Sequence, residues 1–600
     1  MTTIENKDAI PASVSPAKAW LRALELTVPI AHNRQRILST VIEENAARMG
    51  DAPGLLSDRE SLTYSALVQR AHQYARWALD QGLAKGDVVC LLMTNRPEYF
   101  ACWLGITSVG VVVSLLNTNL VGSSLAHCIR IVSAKHIIVS AEFVDTLNAI
   151  LPQLELPLVI WAHGHESASF ARIDSEIERF SGEMLIPTER RATEIEDLAL
   201  YIYTSGTTGL PKAARVSHGR MMQWSHWFAG MMDVQTIDRM YNCLPMYHSV
   251  GGVQVPGAML VAGGSVVVRE RFSASQFWDD IVRWDCTLLE YIGELCRYLL
   301  HTDTSHHETE HRIRLACGNG LAAEVWDGFK DRFRIPQILE FYAATEGSVS
   351  LFNVQGKRGA IGHIPGYLTH RFSPALVLID LETGEPTRDE DGLCVRCAVN
   401  QVGEALGKAG KDSSNFGNRF DGYISAEASE KKILRNVLEQ GDAWFRTGDL
   451  MRRDEKGYYY FVDRIGDTFR RKGENVATSE VAEVLCAFSG VEHANVYGVA
   501  VPGVEGRVGM ATLVTARNLD LVGLRKHLAT SLPPYAMPVF LRIRNQVDLT
   551  GTFKYSKTEL LREGYDPDAS ADDLYFDCLE AYVQLDKDMY QRVQNGEFRL

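Results

Sequence analysis

The sequence predicts an α/β protein: a large, multi-subdomain N-terminal lobe with parallel sheets plus a small β unit, and a small mobile α+β lobe at the C-terminus. Three patterns carry that expectation. Through the first half, apolar strand-like runs alternate with amphipathic helical stretches: DVVCLLM, a helix over 97–109, VVVSLL, HIIVS and LPLVIWA. Such alternation builds parallel sheets with helices packed on their faces. From about 374 to 396 the pattern shortens to alternating strands and turns, ALVLIDLETGEP and DGLCVRCAV, which reads as the small β unit. Near Arg464 the chain passes from GYYYFVDRIGD into TFRRKGENVATSEVAEVL, a hairpin-like pair of strands before a helix with an acidic start. ANVYGVAVP, ATLVTA, a helix over 519–531 and VFLRIRN complete the second lobe. The expected division is an N-terminal extension (1–40), a large lobe (41–465) and a C-terminal lobe (466–600).

Composition agrees with several packed units. The 600 residues are 46% hydrophobic and 23% charged, far from the signature of disorder. Sixty-one Lys and Arg against 75 Asp and Glu give a net charge of −14. That balance excludes a broadly basic nucleic-acid surface, so any polyanionic ligand needs a local basic site. Eleven cysteines without framework spacing favour reduced thiols and an intracellular protein. The one close pair, Cys394 and Cys397, lies in a strand-like run with no second pair to complete a zinc site, and reads as structural. Residues 99–116 carry no charge over eighteen positions, the lower limit for a membrane span. Their first part is helix-like and the β-branched part after Gly110 strand-like, so a buried helix followed by a buried strand is the expectation. The polar run 403–419, GEALGKAGKDSSNFGNR, is the most loop-like internal segment. His301, His306, His307 and His311 superficially suggest metal spacing, but HTDTSHHETEH reads as an exposed polar loop. The N-terminal stretch lacks the apolar core of a signal peptide, and EFRL at the other end is no lipidation signal.

The most informative stretch is LALYIYTSGTTGLPKAARVSH, residues 198–218. An apolar strand ends at Tyr203, and Thr204, Ser205, Gly206, Thr207, Thr208 and Gly209 follow. Small residues of this kind turn backbone N–H groups and hydroxyls toward phosphate oxygens, while the glycines allow close approach. Lys212 adds a full positive charge. The spacing is not that of a Walker A loop.

YTSGTTGLPK resembles the phosphate-loop motif of the adenylate-forming superfamily: acyl-CoA synthetases, luciferases and peptide-synthetase adenylation domains. Further matches arrive in that superfamily's order from about residue 62 to 561. The resemblance implies that in YAATE the aromatic Tyr342 lies against the nucleoside, Thr345 near phosphate, and Glu346 on magnesium, with Ala343 where a glycine is usual. ATP-bound Mg²⁺ needs only one or two protein carboxylates, and Thr204 is assigned beside Glu346. Gly318, Asn319 and Gly320 resemble the adenine-side turn, where glycines admit a flat base and an amide meets its edge. Asp449, expected in a tight turn of WFRTGDL, and Arg464 in FVDRIGD take the ribose positions. In GTFKYSKTEL, Lys554 takes the catalytic position and Lys557 is the competing candidate. A cation placed where negative charge gathers in a dry site lowers such a barrier by roughly 3 to 4 kcal/mol.

Within the superfamily, LPMYHSVGG, DTFRRKGENVATSEV, GTFK and the tail from residue 574 resemble the fatty-acid-transport-protein and very-long-chain acyl-CoA synthetase branch. The membrane-anchoring N-terminal segment of that branch's animal members is not seen, so a cytoplasmic protein, or one peripheral to the inner face of a membrane, is expected. The implied reaction joins a long- or very-long-chain fatty acid to CoA through an acyl-adenylate, using ATP and Mg²⁺ and releasing AMP and pyrophosphate. Gly466 is the expected hinge, and Lys472 and Gly473 the pantetheine entrance. His248 either lines the acyl and CoA passages or is a packed histidine. The alternatives are a lipid-uptake or membrane-binding protein with secondary ligation, and a CoA ligase for a steroid or aromatic carboxylate.

Overall fold

In a computed structural model of the chain, the structure describes residues 15–155, 157–164, 170–204, 210–372, 374–380, 383–409, 419–465, 468–471, 474–502, 504, 507–515, 519–544, 558–578 and 581–598. Among them, the large lobe holds two mostly parallel sheets. The first has seven strands in the order Ala171–Arg172, Val159–His163, His136–Ser140, Val88–Leu92, Val112–Leu115, Leu198–Thr204 and Lys212–Ser217. Its central strands are buried along their whole length, as expected where helices cover both faces. Only the last pair is antiparallel, with Thr204 opposite Lys212. The second sheet has eight strands in the order Ser350–Asn353, Ile338–Ala343, Leu315–Asn319, Leu288–Ile292, Arg239–Asn242, Ser265–Val268, Pro53–Leu56 and Ser61–Thr63. It is parallel except at its two edges.

Residues 99–116 lie in the core as the helix Pro97–Ser108 and the strand Val112–Leu115. No described helix is long and apolar enough to cross a membrane. The helix Pro16–Thr27, within the stretch read as an extension, contributes Ala19, Trp20 and Ala23 to the largest core.

The small β unit is larger than its sequence suggested. Gly362–His363, Tyr458–Arg464, Ala443–Arg453, Gly403–Lys408 and Ala375–Val377 form an antiparallel sheet, with Ile433–Arg435 also paired to Ala443–Arg453. The expectation of a loop over 403–419 is therefore corrected at its start, where residues 403–407 are buried in mid-sheet. Two glycines hid the strand, and Gly403 has a packing reason: a Cβ there would lie 2.2 Å from the Val377 carbonyl oxygen. Cys394 and Cys397 are unpaired thiols packed in this unit. Burial pushes the Cys397 thiol up to about 11, which suits a packing role rather than a reactive one.

In the small C-terminal lobe, the hairpin Phe469–Arg471 and Glu474–Val476 leads into the helix Thr478–Cys486. A five-stranded sheet follows: Val491–Val499, Val508–Thr515, Phe540–Arg544, Asp573–Asp577 and Tyr582–Gln584. The tail from residue 574 is thus part of this sheet, ending in the helix Lys587–Gln594. The helix expected over 519–531 spans Leu521–Ser531, started by Asp520, whose carboxylate accepts from the Gly523 N–H. Asp463 ties the lobes by accepting from the Thr478 N–H (2.6 Å) and hydroxyl (2.9 Å). His493 Nδ1 meets Glu294 across the interface at 2.8 Å.

Candidate active site

The ends of the two parallel sheets and the antiparallel sheet bring together Thr204, Lys212, Tyr342, Glu346, Asp449 and Arg464, members of the sequence-predicted set that fall among the described residues. Asp449 is not in a tight turn. It lies within the strand Ala443–Arg453, in direct register with Arg464 on Tyr458–Arg464. Gly448, at φ +78°, and the register shift at Leu450/Met451 bend the strand there, the kind of irregularity that re-aims a side chain. Arg464 Nε stands 3.3 Å from one Asp449 oxygen, and the Tyr342 hydroxyl donates to the other at 2.5 Å. Burial, then the Asp449 charge, holds the Tyr342 phenol well above its ordinary pKa. Two residues that motif reading assigned to the nucleoside, 107 positions apart, are therefore bonded to each other.

The YAATE segment continues the strand Ile338–Ala343. Thr345 Oγ1 lies 3.1 Å from the Ser249 hydroxyl. Glu346 accepts from the Tyr423 hydroxyl at 2.6 Å, and the Thr204 side chain hydrogen-bonds the same hydroxyl. Lys212 Nζ sits 5.6 Å from the Tyr423 ring centroid, within cation–π range. Tyr423 thus joins Glu346, Thr204 and Lys212 in one cluster. One carboxylate beside a hydroxyl is a donor set that fits a nucleotide-carried Mg²⁺, which keeps most of its own waters and phosphates.

Gly318 and Asn319 end the strand Leu315–Asn319, and Gly320 turns the chain at φ +79°. A Cβ on Gly318 would fall 2.3 Å from the Tyr291 carbonyl oxygen, so the close packing requires glycine. The buried Glu340 carboxylate secures this turn, accepting from the Gly320 N–H (2.5 Å), the Leu321 N–H (3.2 Å) and the Tyr291 hydroxyl (2.5 Å). Burial pushes Glu340 up to about 8.

Beside these groups an apolar cleft opens, walled by Trp224, Trp227, Phe228, Phe341, Phe352 and Phe372. Ala343, Thr345 and Asn319 also border it. The π-helical segment Val250–Gln254, two residues after His248, also lines it through Val250 and Gln254, a geometry common at functional sites. Gly252 lets this segment close down: a Cβ there would lie 1.8 Å from the Met246 carbonyl oxygen. The His248 ring packs 4.4 Å from Tyr247, with Ser249, Val250 and Gln254 on the cleft itself.

Sequence reasoning missed Tyr423, Glu340 and Lys432. Lys432 Nζ donates to the Arg446 and Thr447 carbonyls at 3.3 and 3.4 Å. Burial lowers its pKa, while the charges of Glu346, Glu404 and Asp449 oppose the shift. A lone acid in the apolar strand ILEFYA was a readable signal for Glu340. The expected residues Ser205, Gly206, Thr207, Thr208, Gly209, Gly466, Lys472, Gly473, Lys554 and Lys557 lie outside the described residues. The four-histidine set is not assembled: His311 stacks 5.0 Å from Trp278. Instead His306, His307 and Glu310 bring ligand-type atoms within 4.8 Å of one another, at a solvent-facing turn.

Comparison with known proteins decides the family. Residues 42–398 match the model of the AMP-binding enzyme, and 480–554 that of the AMP-binding enzyme C-terminal domain. The chain belongs to the AMP-binding enzyme family. Long-chain fatty acid transport protein 1 of Mus musculus is 41% identical over 546 residues, covering 90% of this chain and 84% of that protein. The Homo sapiens protein of the same name is 39% identical over 582 residues, covering 95% and 88%. This AMP-binding enzyme therefore stands with the fatty acid transport protein branch. Among solved structures, the anthranilate CoA ligase AuaEII in complex with anthranoyl-AMP superposes with a TM-score of 0.74 at 19% identity, covering 87% of this chain and 96% of that one. ATP-bound MatB from Rhodopseudomonas palustris gives 0.73 at 22% identity, covering 89% and 100%. At those identities the likeness is one of fold: the two-lobe architecture of adenylate-forming enzymes.

Proposed function

We propose that this chain is an ATP-dependent fatty acid–CoA ligase that acts on long or very long chains through an acyl-adenylate. The observation that carries the reading is the juxtaposition of an aromatic-walled apolar cleft with the Glu346–Tyr423–Thr204 cluster and the Asp449–Arg464 pair. The cleft takes the acyl chain, and its carboxylate end reaches the nucleotide past Ala343 and Thr345. Asp449 and Arg464 hold the ribose, with Tyr342 orienting Asp449. The turn at Gly318, Asn319 and Gly320, fixed by Glu340, receives the adenine.

The carboxylate oxygen attacks the α-phosphorus and pyrophosphate leaves. The CoA sulfur then attacks the acyl carbonyl, and AMP leaves with the oxygen it gained. Lys212 and Lys554 supply the positive charge that the first step needs. Glu346 and Thr204 are the residues that would hold Mg²⁺, which adds charge neutralisation at the phosphates. Gly466 is the proposed pivot, and Lys472 and Gly473 the proposed CoA entrance, with His248 behind the cleft wall.

The names of the relatives favour a second reading, in which fatty-acid uptake is the main role and ligation serves it. Purified protein with ATP, Mg²⁺, CoA and a panel of fatty acids separates the two. The ligase reading expects AMP release that requires both acid and CoA; its absence sinks that reading. Uptake that survives Glu346→Ala in cells supports the second.

A further inference from the structure

The helix Pro16–Thr27 crosses the helix His218–Met232 at close range. A Cβ on Gly230 would come 2.6 Å from Ala23 Cα, so the backbones meet where glycine makes room. Arg22 Nε donates to the Gly230 carbonyl at 3.1 Å and pairs with Asp233 at 3.2 Å. This crossing buries Trp20 completely. Its indole meets Trp227 edge-on at 5.7 Å and Phe352 at 5.9 Å, and lies 5.7 Å from Phe372. Those three rings are wall residues of the cleft, which Trp20 itself does not line. Its Nε1 is buried without a hydrogen-bond partner, so the indole acts here as bulk.

We propose that Trp20, carried on the N-terminal helix, sets the depth of the acyl cleft and hence the longest acid the site accepts. The inference rests on one part of the proposed reading, the placement of the fatty acyl chain in the cleft. A close-packed second layer leaves the buried rings of Trp227 and Phe352 no space to swing away from a lengthening chain. Removing the indole leaves apolar space on the order of the ~150 Å³ engineered cavity that admits benzene, room for about six carbons.

The test is a chain-length series measured twice on the full chain, as direct fatty-acid binding and as AMP release with CoA. Trp20→Ala is expected to raise the preference for acids two to six carbons beyond the wild-type optimum by roughly tenfold, since single methylenes are worth about that in apolar pockets. Gly230→Ala, which lifts the helix by collision with Ala23, is expected to shift the optimum the same way. Should Trp20→Ala not fold, Trp20→Phe decides with a smaller shift. A folded variant whose optimum matches wild type in both measurements overturns the inference. Length-dependent binding that Trp20→Ala extends, without AMP release by any form, upholds the depth role and removes the ligase reading instead. If no fatty acid binds, both fall.

Discussion

Replacing Tyr423 by Phe tests the site at its least expected member. The substitution removes one hydroxyl, which donates to Glu346 at 2.6 Å and hydrogen-bonds the Thr204 side chain. The ring that Lys212 approaches at 5.6 Å stays. So does the backbone anchor, the Tyr423 N–H donating to the Ser429 hydroxyl at 2.8 Å. A hydrogen bond to a charged group is worth about 1.5–3 kcal/mol net. If Tyr423 holds Glu346 for the first half-reaction, its loss slows adenylation by about ten- to a hundredfold. The Mg²⁺ concentration for half-maximal rate also rises, because Glu346 then has to be oriented by the metal. The assay is acid-dependent ATP–pyrophosphate exchange over a Mg²⁺ series. Thioester formation from a supplied acyl-adenylate is the control and is expected to stay near wild type. Exchange within twofold of wild type, at unchanged Mg²⁺ dependence, refutes the assignment of Tyr423 and weakens that of Glu346.

Other consequences can be checked more simply. Gly252→Ala puts a Cβ 1.8 Å from the Met246 carbonyl oxygen; the overpacking costs about 1–3 kcal/mol, read as a lower Tm together with loss of acyl binding. Glu340 sits at about 8 in the folded chain because of burial, above the ordinary carboxylate value, so the native state holds its proton longer than the unfolded chain. Its contribution is full below about 4.5 and is lost as pH rises through about 8. The Tm of wild type should therefore fall across that window more steeply than that of Glu340→Gln; parallel curves would contradict this. Burial likewise pushes Glu98 up to about 7, a contribution common to both proteins that drops out of the difference.

Much of this arrangement was readable from the chain, for reasons that differ between its parts. The parallel sheets announced themselves because strands such as Val88–Leu92 and Val112–Leu115 are covered on both faces and so are apolar throughout. Asp449 and Arg464 were each found through local motifs, but their register partnership depends on an antiparallel pairing that local periodicity does not encode. The strand Gly403–Lys408 was hidden because glycine, needed where Val377 and Ser348 approach, mimics loop composition. Tyr423 and Trp20 escaped for a common reason. Each acts through contacts with residues tens to hundreds of positions away, and neither sits in a run of unusual composition.

The acyl-adenylate is the central claim, and an oxygen-labelled acid tests it directly. With ¹⁸O in the fatty carboxylate, ATP, Mg²⁺ and CoA, attack on the α-phosphorus followed by thiol displacement predicts one labelled oxygen in the phosphate of the released AMP. Label appearing in inorganic phosphate with ADP as the product, or AMP released without label, contradicts it.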